Sequence, residues 1–329
     1  MLAAAIIDFT AKEFGKKALW AIVNEYFPDD KAFETQVASS LDQLNRKIDG
    51  IGQDVGYLRI QPVKDRYIEY LHYFNRQLIP YLRAEAKVDA PHNMEQLKRH
   101  VEEVRKKRIK LGTSFEQGKA VFKERHQTCD FPVRTLFEIL QNIAALEIVY
   151  LSWEYFLYQS IPDTPKFDIE QVQDEYKSFK TGATEFIKDS IDPLFKARMS
   201  KIHFFEDHKM LQMQTNAPIY VKYEYRDSFS SQFTDDPFKG DEIKHEDEVK
   251  RYFYDVAFWG YIKDQKLYDA YDNLVKFRNH HQEHCREVTR LFDAHVRVPT
   301  NKVLEKMNSL PGDLPDVTRE NKELTNIKK

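Results

Sequence analysis

The densest run of chemistry-bearing side chains is His280-His281-Gln282-Glu283-His284-Cys285. On a helix His280 and His284 stand one turn apart with Cys285 beside them, a spacing by which imidazole and thiolate can reach one ion. His280, His284 and Cys285 are therefore the candidate metal ligands. The competing expectation is a solvated, histidine-rich helix face, and that is the reading adopted: no metal and no cofactor is expected.

The two histidines four apart are only superficially similar to the zincin pattern, because Gln282 and Glu283 set the acid off the position that pattern needs. A second thiol–imidazole pair, His126 and Cys129, lacks an orienting third group or an oxyanion hole at readable spacing. His203 and His208, near Glu206 and Asp207, are too sparse to define a site. The chain has no GxxxxGK[ST] loop, no GxGxxG after a strand and no GxSxG elbow. No catalytic residues are assigned, and a non-enzymatic protein is expected.

The elements that must position these side chains are mostly helical. Ile6, Phe9, Phe14, Leu19 and Ile22 recur at helical steps over 2–26. Phe33, Val37, Leu41, Leu44, Ile48, Ile51 and Val55 form a heptad-like seam that wants a partner helix. Pro62 is expected to open a third helix through Leu82, kinked at Pro80, and Asn93 to cap a charged helix over 94–127. Phe131-Pro132 opens the most apolar helix, 133–161, whose hydrophobic side chains fall on nearly every face and predict a central position. Glu138, Glu147 and Glu154 keep it from reading as an ordinary membrane span, although a bundle or a pore could hide them.

After the break at Ile161-Pro162, helical periodicity resumes over 168–199, with Pro193 expected to bend it. Residues 218–226 alternate Ile219, Val221, Tyr223 and Tyr225 with polar partners, the pattern of a strand, and 203–213 offers the other arm of a hairpin. A loop over 228–240 and a long helical region over 241–298, broken near Gly260, are expected next, then a short helix over 300–307. The fold class is thus mainly α: an elongated multi-helix bundle with a central apolar helix and a small β-hairpin near 203–226. Three parts are expected: a helical bundle at 1–161, C-terminal helices with the hairpin at 162–310, and a flexible tail at 311–329.

The balance of 50 basic and 53 acidic residues, net −3, sets up no global field toward nucleic acid, which is disfavoured as a partner. The dense basic run within 98–110 is read as a solvated helix face. Two cysteines far apart exclude a disulfide framework. The apolar start, Met1 to Ile7, is followed at once by Asp8, Lys12 and Glu13, so neither a secretory leader nor a membrane span is read there, and the compartment is left open between cytoplasm and secretion without a visible leader.

The order of apolar first helix, heptad helix with Leu41-Asp42-Gln43-Leu44 and Ile48-Asp49, aromatic helix from Tyr67 to Leu82 and apolar helix 133–161 resembles the N-terminal bundle of helical pore-forming toxins of the delta-endotoxin and jellyfish-toxin type. The resemblance covers the first half of the chain, and no long β-rich receptor-binding region follows it. It implies a membrane-active bundle in which the helix 133–161, with Leu136, Leu140, Ile143, Leu146, Val149 and Trp153, or else the helix 2–23 enters lipid, with membrane lipid or self-association as partners. The alternative is an intracellular coiled-coil-like interaction or scaffold protein with a protein partner.

Overall fold

The computed structural model describes residues 55–73, 76–77, 94–161, 164–210, 218–229, 236–238, 244–253 and 265–314. The expected helix at 2–26, the heptad seam up to Ile51, Pro80 and the end of the tail lie outside them. The described chain is mainly α. Its helices are α1 (Val55–Tyr73), α2 (Met94–Arg125), α3 (Phe131–Ser160), α4 (Lys166–Met199), α5 (Gln265–Phe292) and α6 (Val298–Ser309). The strands are β1 (Ile202–Met210), β2 (Pro218–Asp227) and β3 (Lys244–Phe253).

The chain forms two units. The first holds α1, α2, α3, α4 as far as Ile191, and everything from Val296; the second holds 192–295 together with 127–129. The break at 161–165 thus lies inside the first unit.

In the first unit α3 starts where Asp130 accepts a hydrogen bond from the Val133 N–H at 3.0 Å, with Pro132 in the first turn. Every residue from 139 to 157 is buried, so the helix is core on all faces. Three helices show how. From α1, Tyr70 presents its carbonyl to the Tyr150 hydroxyl at 2.8 Å, and Tyr73 stacks on Tyr150. From α2, Phe122 stacks on Phe137 at 5.3 Å and Phe115 meets Phe186 of α4 edge-on. From α6, Thr300 accepts a bond from Gln141.

The stretch 310–314, whose last four residues were read as the start of a tail, is tied down. Leu310 and Leu314 are buried, Pro311 accepts from the Tyr176 hydroxyl at 3.0 Å, and the Leu314 N–H donates to Gln173.

Two expectations are corrected. α1, described over Val55–Tyr73, carries Pro62 in its interior rather than at its head; the proline removes one N–H from the helix, a loss that packing of Val63, Tyr67 and Tyr70 into the core offsets. In the second unit β3 occupies 244–253, where helix was expected. The sheet order is β1-β2-β3, both pairings antiparallel, with a register irregularity at Ile219/Val221. A strand such as β2 has two edges of backbone N–H and C=O groups to satisfy, and that demand overrides local helical preference at 244–253. The expected hairpin is present, with His203 opposite Arg226.

Gly118 shows how closely α2 lies on α3: a Cβ there would come 2.6 Å from Leu140 Cδ2. Gly118→Leu should therefore cost about 1–3 kcal/mol of stability through overpacking, despite a better helix propensity. Urea unfolding of variant and parent checks this; an unchanged midpoint would mean α2 can slide away from α3.

Candidate functional site

Two polar clusters are buried, one in each unit. The first is built by three helices. Arg105 and Arg108 lie three apart on α2, and Glu147 and Glu154 lie seven apart on α3, each pair therefore on one face of its helix. Glu175 comes from α4. Arg108 is 8% exposed; its Nε donates to Glu154 Oε2 and its Nη1 lies 2.7 Å from Glu175 Oε2. Arg105 donates from Nη1 to the Tyr158 hydroxyl at 3.2 Å, with its Nε 3.8 Å from Glu154 Oε1.

Glu154 is fully buried, and burial pushes its carboxyl above the ordinary range even against the pull of Arg108 and Arg105. Glu147 is 3% exposed and sits far higher: burial dominates, Glu154 and Glu175 add to it, and Arg108 with the Gly112 backbone N–H opposes it. Its Oε2 is buried with no hydrogen-bond partner among the described residues. The cluster forms one wall of an open groove of ≈ 970 Å³ between α2 and α4, which Phe115, Phe179, Gly112 and Gly182 also line.

The second cluster turns on Asp227 at the end of β2. Arg198 of α4 grips it through two guanidinium nitrogens at 3.2 and 2.6 Å, His284 Nε2 of α5 donates to Oδ2 at 2.7 Å, and the Phe229 N–H donates to Oδ1 at 3.0 Å. Burial works to raise this carboxyl, but the bonds from His284, Arg198 and Phe229 outweigh it and hold it down at about 2. Arg198 also lies over the Phe229 ring, 4.5 Å from its centroid, beside an aromatic group in which Phe195 and Phe238 both meet Phe292.

The histidine run is divided: His280, Gln282 and Glu283 are exposed, while His281 and His284 turn toward the second cluster. His281 stacks on Phe204 at 4.8 Å, and His284 faces Asp227. Cys285 Sγ lies 3.4 Å from His281 Nε2. Burial, then the charge of Asp227, raises this thiol, while burial lowers His281, so the pair rests as thiol and neutral imidazole without the thiolate a nucleophile needs. Among the described residues no group of three or more His, Cys, Asp or Glu is placed to hold a metal ion.

The His126 imidazole stacks on Phe122 and its Nδ1 lies 2.9 Å from the Lys123 carbonyl, while Cys129 is buried in a left-handed turn at φ 49°. His203 is exposed on β1. Leu136, Leu140, Ile143, Leu146, Val149 and Trp153 are all buried along α3.

Arg108 and Asp227, the two hubs, were not singled out in the sequence. Arg108 sits in the basic run read as solvated, and only part of that run is: Lys106 and Lys110 are exposed, while Lys107 lies over the Tyr73 ring. The available signal was Glu147 and Glu154 two turns apart on an apolar helix, which demands a cation from a neighbour.

No family model, curated protein or solved structure matches the chain.

Three outcomes are expected. Arg108→Met strands Glu154 and Glu175 and should cost roughly 3–5 kcal/mol, with much of the loss recovered in Arg108→Met/Glu154→Leu; a double-mutant cycle in urea measures the coupling. The Glu147 carboxyl is higher in the folded than in the unfolded chain, whose ordinary value is 4.5. Folding therefore favours its protonated form, and stability is lost as pH rises above 4.5. Glu147→Gln should be more stable than the parent at pH 7 and no more stable at pH 3.5. Asp227 runs the other way: its contribution is complete above its ordinary 3.8 and lost as pH falls to about 2, so Asp227→Asn should flatten the acid limb of the stability profile.

Proposed function

We propose that the chain is a non-enzymatic, membrane-active helical bundle of the pore-forming-toxin kind, with α3 as the helix that enters lipid. The supporting observation is α3 itself: among the described residues it is the one helix long and apolar enough to cross a membrane, Phe131–Gln159, and 94% of its most apolar window is buried. At 1.5 Å per residue its 30 residues exceed the hydrocarbon thickness of a bilayer, about 30 Å. A helix sheathed in other helices exchanges one apolar environment for another when it leaves for lipid, so the apolar term nearly cancels.

The charges do not cancel, and they set the trigger. Glu147 and Glu154 would enter the bilayer neutral, and both carboxyls are already raised by burial. Protonating Glu154 removes the ion pair by which Arg108 holds α3, with Arg105 and Tyr158 the other polar groups at that junction. Acid is therefore the condition under which α3 is released most easily.

Dye release from anionic and neutral liposomes at pH 4.5 and 7.4 tests this, with release expected at the lower pH. A Gly118→Cys/Leu140→Cys pair in a Cys285→Ser background locks α2 to α3 when oxidised. Release that returns on reduction assigns insertion to α3, and equal release in both redox states removes that assignment. No release under any lipid or pH removes the membrane reading. The interaction-protein reading then takes its place, favoured by Ile109 and Phe167, which are 51% and 72% exposed.

A further inference from the structure

The groove between α2 and α4 is shaped by what is missing from its walls. At Gly182 a Cβ would meet nothing within 4 Å, and at Gly112 it would come 3.3 Å from Glu147 Oε1. The two glycines leave room beside a carboxyl that a larger residue at 112 would cover. Carboxylates outnumber basic side chains along the groove five to three. Several are already answered within the protein: Arg108 by Glu175 and Glu154, and Lys119 by Glu116 at 2.8 Å.

Glu147 differs from Glu154 and Glu175 in making no ion pair among the described residues. It lines the groove, it is nearly fully buried, and its Oε2 has no hydrogen-bond partner among the described residues. A buried carboxyl oxygen without a partner costs stability that the fold recovers only if something else supplies the bond. The wall also carries Leu151, Phe115, Phe179 and Ala183, while Arg108, the cation that acts on Glu147, is held by Glu154 and Glu175. Lys119 already lies over the Phe115 and Phe186 rings at 5.3 and 5.6 Å, so these faces accept a cation.

We propose that this groove binds a small organic ammonium ion, its N–H groups directed to Glu147 and its hydrocarbon body lying along Phe115, Phe179 and Leu151. A neutral alcohol of the same shape fills the apolar part but supplies one donor and no charge. An anion meets the excess of carboxylates. Recognition by charge-assisted bonding in a desolvated site makes the ammonium the preferred member of such a series.

The probe series is 4-phenylbutylamine, 4-phenylbutanol and 4-phenylbutyrate, titrated into the full chain at pH 7.4 by calorimetry. One saturable site is expected, with the amine bound roughly tenfold or more tightly than the alcohol and the carboxylate weakest. The ammonium must displace the proton that burial holds on Glu147, and Glu147→Gln keeps the shape but cannot ionise, so amine and alcohol should bind it alike. Gly182→Phe grows into open space, and should block amine and alcohol together while leaving the melting temperature at or above the parent's. An amine no tighter than the alcohol, an amine preference that survives in Glu147→Gln, or no saturable amine binding overturns the proposal. None of these outcomes bears on liposome release, so the two readings stand or fall separately.

Discussion

A helix buried on every face must have its charges answered from its neighbours, and in the first unit that constraint falls on Arg108. Burying each Leu, Ile or Val of α3 contributes roughly 1.5–3 kcal/mol, and the helix buries a long series of them, so the apolar term decides its central position. Glu154 is carried into the core with that series at a cost of several kcal/mol for a lone ion. Only a cation brought to the same depth offsets it. Arg108 does so from α2 and reaches Glu175 of α4 with another nitrogen, so one guanidinium sets how three helices lie along one another. Replacing such a pair by hydrocarbon can be neutral in stability, and its attested use is to fix register. That role fits helices whose aromatic contacts, Phe122 on Phe137 and Phe115 on Phe186, are permissive about small slides.

The second unit solves a different problem with similar means. A three-stranded sheet is a small surface with little core of its own. Asp227 terminates β2 and collects bonds from a helix on each side of it in sequence, Arg198 from α4 and His284 from α5. The aromatic side chains Phe195, Phe229, Phe238 and Phe292 close over this junction. The carboxylate is thus a structural hub, and His284, one of the histidines that looked like ligands, is one of its partners.

This explains what could be read from the sequence and what could not. Periodicity located α2, α3 and α4 to within a few residues, because long amphipathic or wholly apolar runs leave little choice of secondary structure. Alternation found β2 for the same reason. β3 was missed because Lys244 to Phe253 is highly charged, and only the unpaired edge of β2, a tertiary fact, makes it a strand. The hubs were missed for a related reason. Composition shows that charges are dense, but not which one of seven basic residues between Lys98 and Lys110 turns inward. Helical phase narrows that choice: Val101, Val104, Arg108 and Leu111 follow one buried stripe, so Arg108 occupies a position whose neighbours are apolar.

The same stripe bears on how α3 could ever leave its site. Its hydrocarbon gives no strong preference between a protein core and a lipid core, and a helix alone cannot distinguish a soluble bundle from one that opens. What distinguishes them is the polar remainder, which includes the buried Glu147 and Glu154 carboxyls, the Tyr150 hydroxyl on the Tyr70 carbonyl, and the Gln141 amide on Thr300. The neutral bonds can be exchanged for others in a membrane at modest cost. The Arg108 link cannot be exchanged while Glu154 is ionised, because separation leaves a charge in hydrocarbon on one side and an unanswered guanidinium on the other. Protonation converts that barrier into the loss of a hydrogen bond. Any mechanism that frees α3 must therefore act first on the carboxylates around Arg108, whatever the apolar faces do afterward.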